Sequence, residues 1–242
     1  LAPAAFACIW VGGWPWSILI ALGTTGLAVE WVQLCGQKLF AFSGAACVLL
    51  IAAAMLTALG GAPVLGAVIV VSGACVTFFH ARVLSAGIVY IGLPCVALVW
   101  LRADPLAGRA NFLLLIFVVW ATDIGAYVFG RWLGGPKLAP RVSPGKTWSG
   151  AVGGLLTAIL IGLATASSIA PRVFFVAAAL SLVAQAGDLL ESGIKRHFGV
   201  KDSGRLIPGH GGLLDRLDGV LTAALLAAML AYIRGRGVLI WL

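Results

Sequence analysis

The chain has 242 residues, 62% of them hydrophobic and only 10% charged, with a mean hydropathy of +1.09 and a formal charge of +8. A soluble domain carries roughly 25% charged residues, so this composition excludes a water-facing globule and indicates a polytopic membrane protein. Nucleic-acid binding would want a basic soluble domain and is not expected. The five cysteines, scattered in apolar surroundings without a CxxC or Cys/His cluster, read as small buried hydrophobes rather than a thiol active site.

A spanning helix needs about 20 apolar residues. Such stretches lie near 16–34, 39–59, 62–79, 84–101, 110–130, 149–170, 172–190 and 216–233. A further segment, 3–13, reads as a shortened first span before Gly12-Gly13 and Pro15. The expected fold is all-α: a polytopic integral membrane protein with eight or nine transmembrane helices, forming a single transmembrane domain over 1–242. The 32 glycines suit close helix packing in lipid. No internal repeat of the kind that marks many transporters is visible.

Connections are short except at 131–148 and 191–215. With nine spans, eleven of the sixteen Lys/Arg fall on the side that carries both long loops. A Lys/Arg excess marks the cytoplasmic face, so the two loops are expected there. Acids inside apolar helices point to the same end. Asp123 lies in "VVWATDIGAYVFGR" and Asp188 in "LSLVAQAGDLLES". A charge at mid-membrane costs about 2.5–3.5 kcal/mol on insertion scales, so such residues face a polar interior or a site. Ser181, Gln185 and Asp188 follow i, i+4, i+7 spacing, with Ser192 extending the row, which makes a polar stripe on one helix face. Asp123, Tyr127 and Arg131 form a similar row, and a structural Asp123–Arg131 pair is the competing reading there. Glu30, in "LAVEWVQL", reads as an interfacial acid beside Trp31 rather than a functional group.

The loop "RVSPGKTWSG" offers Ser143, Lys146, Thr147 and backbone amides just before a helix, groups that bind phosphate well. The stretch "ESGIKRHFGVKDSGRLIPGHGGLLDRLDG" is denser. Lys195, Arg196, Lys201, Arg205 and Arg216 supply cations, Asp202, Asp215 and Asp218 supply anions, and glycines flank His210. Asp215 and Asp218 stand three apart at a helix start, so their carboxylates share a face. Acids, cations and glycine-rich backbone together are what a Mg²⁺-bound polyphosphate requires.

The run Ser192-x-Ile194-Lys195-Arg196, then Lys201-Asp202-x-Gly204, then Ile207-Pro208-x-His210-Gly211-Gly212-Leu213-x-Asp215-Arg216-Leu217-Asp218 resembles the signature of the phosphatidate cytidylyltransferases, or CDP-diacylglycerol synthases. The "TDIGAYVFGR" helix end and the "SPGKTWSG" loop are similar too, although the family's loop usually reads closer to SPKKTWEG. Gly145 and Ser149 therefore stand where the pattern has Lys and Glu.

The resemblance implies Mg²⁺-dependent transfer from CTP to phosphatidate, giving CDP-diacylglycerol and diphosphate, at the inner face of a bacterial plasma membrane. It implies catalytic loops at about 131–148 and 191–218, and a homodimer. On this reading Asp188 and Asp215 are expected as ligands of one or two cations, with Asp123 and Asp218 next. Lys195, Arg196, Lys201 and Arg216 are expected to hold phosphates, aided by Ser143, Lys146 and Thr147, and Asp202 is expected among the cofactor-binding residues. His210 is expected to donate to the leaving group or to organise the loop. The rival readings are a related CTP-dependent lipid cytidylyltransferase or lipid kinase, and an ion-coupled transporter using Asp123 and Asp188.

Overall fold

Inside lipid a backbone has no water to bond, so long apolar runs must close their hydrogen bonds within helices. The computed structural model describes residues 2–165, 171–204, 206 and 211–234. Among these, the helices are α1 (Ala2–Val11), α2 (Gly13–Leu34), α3 (Phe42–Leu59), α4 (Pro63–Phe78), α5 (Arg82–Ala103), α6 (Gly108–Leu133), α7 (Trp148–Thr165), α8 (Pro171–His197) and α9 (Leu214–Arg234). Two short strands, β1 (Lys137–Ala139) and β2 (Ser143–Thr147), lie between α6 and α7.

Seven described helices are long and apolar enough to cross a membrane: α2, α3, α5, α6, α7, α8 and α9. The 16 residues of α4 and the 10 of α1 reach about 24 and 15 Å, against a hydrocarbon core of about 30 Å. The eight or nine expected spans thus become seven full-length helices and two shorter ones. The chain divides into two compact units, Leu1–Ala103 with Asp202–Arg216, and Asp104–Lys201 with Leu217–Leu242.

In the first unit, polar side chains lock helices together by reaching backbone carbonyls. The Trp31 indole on α2 donates to Val83 O of α5 at 3.1 Å, and Ser85 Oγ donates to Ala74 O of α4 at 2.7 Å. In the second unit, α6 and α7 touch through small residues. A Cβ added at Gly154 would stand 2.6 Å from Thr122 O, so only glycine admits this approach. Hydrogen bonds then tie α8 in. Thr122 Oγ1 donates to Ser181 Oγ at 2.9 Å, and Gln185 Nε2 donates to Ser181 Oγ and to Ala151 O, both at 3.3 Å.

Two local features differ from the sequence reading. The 131–148 loop carries an antiparallel pair, with Lys137 opposite Thr147 and Ala139 opposite Ser143. Val142 N donates to Ala139 O in its turn and Trp148 N to Pro136 O at its base, so the loop's own backbone satisfies the pairing. Helix α8 also runs to His197, well past the expected end near 190. A Glu191–Lys195 pair at i, i+4 supports the extra turns. The helix stops where Gly199 takes φ 69°, with Val200 N on Lys195 O and Gly199 N on Arg196 O. These two bonds form a Schellman cap, which needs a left-handed residue and therefore favours glycine.

Candidate active site

The second unit gathers acids that lie far apart in the chain. Asp188 and Glu191 stand one turn apart on α8, and Asp218 is on α9. One carboxylate oxygen from each lies within 4.8 Å of the others. Asp123, on α6, interacts electrostatically with Asp188 and Lys146, and Asp218 does so with Asp188, Glu191 and Asp123. Four of the chain's eight acidic residues therefore share one neighbourhood.

Two lysines enter the same place. Lys146 Nζ is 2.5 Å from Asp188 Oδ2, and Lys195 Nζ is 2.6 Å from Glu191 Oε2. The first pair is partly open, with side chains 25% and 35% exposed, whereas Glu191 is only 1% exposed. Ionised carboxylates this close repel unless positive charge stands among them. The donor set suits a hard divalent cation: oxygens around Mg²⁺ at about 2.1 Å in octahedral array lie about 3–4 Å apart. Small side-chain adjustments would bring Asp188, Glu191 and Asp218 to that spacing.

The elements that carry these groups are fixed by their own chemistry. Along the α8 stripe, Ser181 is buried and bonded to α6, Gln185 reaches α7, and Asp188 comes next, at the acid cluster. Lys146 is delivered by β2. The next residue, Thr147, caps α7, its Oγ1 accepting from Gly150 N at 3.1 Å. Ser149 Oγ lies 3.0 Å from Thr147 Oγ1 and donates to Gly134 O, so both hydroxyls hold the hairpin–helix junction. Ser143 pairs with Ala139 in the strand register. The Arg196 guanidinium donates to Val142 O at 3.4 Å and to Val200 O at 3.2 Å, which links the end of α8 to the hairpin turn.

In the first unit, a different pair of acids binds the backbone at Ser203 and at 212–214. Asp215 accepts from Ser203 N at 3.0 Å and Gly212 N at 2.9 Å. Glu30 accepts from Leu213 N at 2.8 Å through Oε1 and Leu214 N at 2.9 Å through Oε2. Glu30 is 1% exposed, and its sequence context gave no sign of these backbone partners. Its partners lie more than 180 positions away, beyond the reach of any local pattern.

Lys201, Asp202 and Arg216 are exposed. His210 and Arg205 lie outside the described residues. Sequence reasoning missed Glu191. Its signal is the i, i+3 spacing from Asp188, which puts it on the same helix face. The five cysteines are free thiols, and burial pushes the Cys35 thiol up to about 11, far from nucleophilic use at neutral pH.

Comparison with known proteins bears on this arrangement. Residues 1–234 match the family model described as the Cytidylyltransferase family. The chain is 54% identical over 146 residues to a phosphatidate cytidylyltransferase of Brucella suis biovar 1, a match covering 59% of this chain and 54% of that protein. A phosphatidate cytidylyltransferase of Staphylococcus saprophyticus is 43% identical over 147 residues, covering 59% and 55%. The chain thus spans about half the length of the curated relatives it matches. With nearly its whole length matched by the family model, with seven membrane-length helices and with a cluster of acids and lysines in its second unit, the chain belongs to the cytidylyltransferase family that includes the phosphatidate cytidylyltransferases.

Proposed function

We propose that this chain transfers the cytidylyl group of CTP to phosphatidate, forming CDP-diacylglycerol and diphosphate at the cytoplasmic face of a bacterial plasma membrane. The observation that carries the reading is the group Asp188, Glu191 and Asp218 with Lys146 and Lys195, set at the ends of apolar helices in a chain of this family. A phosphate monoester has a second pKa of about 6, so phosphatidate is largely dianionic at pH 7 and needs no strong base to become a nucleophile. One of its oxygens forms a bond to the α-phosphorus of CTP as the bond from that phosphorus to the bridging oxygen breaks and diphosphate leaves. Such a transfer asks the protein mainly for positioning and charge neutralisation.

Asp188, Glu191 and Asp218 would hold Mg²⁺, with Asp123 close enough to add its charge. When bound, the ion neutralises phosphate oxygens and aligns them. This reading moves the cation ligands from the Asp188–Asp215 pair expected from sequence, because the Asp215 carboxylate accepts backbone amides. Lys146 and Lys195 stand beside these acids, where each can neutralise a phosphate oxygen. A lipid head group at this depth would enter sideways between helices with its acyl chains in the bilayer.

Purified protein in detergent, given CTP labelled in the cytosine together with phosphatidate and Mg²⁺, should produce labelled CDP-lipid. Label entering a different lipid phosphate would support the related cytidylyltransferase instead. In a parallel reaction with CTP labelled in the γ-phosphate, label passing to a lipid alcohol would support a kinase. Absence of any labelled lipid would remove the reading. Orientation has its own check. A single cysteine at Ser143 in a cysteine-free background should resist impermeant thiol reagents in intact cells, and ready labelling from outside would reverse the assignment.

A further inference from the structure

Resting on the cytidylyl-transfer reading, we infer that Glu30, an acid on α2 that this reading does not use, is the positioning residue for Ser203 and for the start of α9 at 212–215. Its two carboxylate oxygens take the amides of Leu213 and Leu214, and Ser203 Oγ lies 3.5 Å from Oε2. Asp215 takes the next amide back, Gly212 N, and also Ser203 N. Ser203 and Gly212, both within the family signature, are therefore tied to the same carboxylate. The two residues between Gly212 and Asp215, Leu213 and Leu214, are held by Glu30.

The amides that Glu30 accepts belong to the start of α9, where backbone N–H groups have no partner within the helix. An anion is favoured there by both hydrogen bonding and the helix dipole. Glu30 itself is rigidly mounted. It lies in the last turns of α2, and the adjacent Trp31 is buried with its indole on Val83 O of α5.

Two glycines of the signature leave room for this arrangement. A Cβ at Gly204 would stand 2.8 Å from Glu30 Oε1. A Cβ at Gly212 would stand 2.0 Å from Ser203 Oγ and 3.0 Å from Asp215 Oδ2. The loop thus lacks side chains where the two carboxylates pass, and a residue of the second helix fixes where Asp215 and Arg216 begin α9.

Three variants of the full chain test this. Glu30→Gln keeps the shape but turns an NH₂ group toward one of the two amides. Glu30→Asp keeps both acceptors and withdraws them by one methylene. Gly204→Ala perturbs the carboxylate from the loop side. Hydrogen exchange resolved to single amides should be at least about tenfold faster at Leu213 or Leu214 in all three, because the bond to the buried acceptor is lost or lengthened and the donors open locally. Cytidylyl transfer should lose kcat by at least about tenfold, as expected when reacting groups are misplaced by a fraction of an ångström. The KM for CTP should change less, and Glu30→Asp should retain more activity than Glu30→Gln.

Wild-type exchange protection at both amides in every variant that folds would overturn the clamp. Faster exchange with unchanged kcat would show the clamp to be scaffold only and overturn the positioning role. If Glu30→Gln does not fold, Glu30→Asp and Gly204→Ala carry the same two readouts. A wild-type chain that makes no CDP-lipid would defeat the functional reading, while the exchange measurement would still decide the clamp.

Discussion

Glu191 and Glu30 are both carboxylates almost sealed from solvent, yet they are stabilised in opposite ways. Glu30 meets backbone N–H dipoles that belong to the fold and cannot leave. Glu191 meets a lysine ammonium and, within 4.8 Å, oxygens of two other acids. The first arrangement is complete in the protein alone and orders a loop. The second gathers more acids than lysines, so its charge is not balanced by these side chains alone. In an apolar chain with so few charges, how a buried acid is neutralised therefore separates scaffold from chemistry.

The comparison can be broken most directly through the metal. Asp188→Asn and Asp218→Asn should each lower kcat by about 10²–10³-fold, the scale of losing a major electrostatic contributor. Mg²⁺ should raise the thermal midpoint of wild type by mass action and raise that of either variant little. Asp215→Asn, whose partners are amides, should keep the Mg²⁺-induced shift. Equal loss of that shift in all three variants would erase the distinction between the two regions.

Stability sharpens the contrast next. Glu191→Gln removes the carboxylate that stands 2.6 Å from the Lys195 ammonium, whose side chain is 13% exposed. Breaking a wholly buried pair costs roughly 3–5 kcal/mol, and residual solvent contact at Lys195 should reduce this to about 2 kcal/mol. Denaturation in detergent would measure it. A change near zero would mean that the pair is solvated and not part of the buried cluster.

A smaller effect is expected at Lys146. Lys146→Ala should raise the KM for CTP about tenfold, the equivalent of one charge-assisted hydrogen bond, with kcat less affected. Unchanged KM would make Lys146 a partner of Asp188 and no more. The smallest effect concerns the support beneath it. Thr147→Ala removes the α7 cap and should lower stability by about 1 kcal/mol, leaving Mg²⁺ dependence intact. A lost Mg²⁺ response would instead place Thr147 among the ligand-binding groups.

Much of this was legible in the residues. Apolar length pointed to eight or nine spans, of which seven are membrane-length helices among the described residues, because a lipid-exposed backbone has no alternative to internal hydrogen bonds. The i, i+4, i+7 stripe led to Asp188. The signature from Ser192 to Asp218 led to the family, which the match over residues 1–234 bears out. Errors arose where local context was read without partners. Residues 191–197 read as loop because they are charged, but the Glu191–Lys195 pair and the Gly199 cap continue α8 through them. The β1–β2 pairing was invisible because its strands are three and five residues long, too short to show an alternating pattern.

Sequence by itself determined the class of the molecule, the positions of its helices and the family to which it belongs, since these depend on composition and on contiguous patterns. Only the tertiary structure decided which acids stand together and which are already satisfied. Asp215 and Asp218 look alike in the sequence, three residues apart on one helix. The first accepts amides from Ser203 and Gly212, and the second shares its oxygens' space with Asp188 and Glu191. Glu30 looked like an ornament of the membrane interface, and it caps a helix whose residues follow it by more than 180 positions. The physical reason is one and the same. A carboxylate's role is set by what lies within about 3–5 Å of it, and across such a chain those neighbours are chosen by packing, not by order along the backbone.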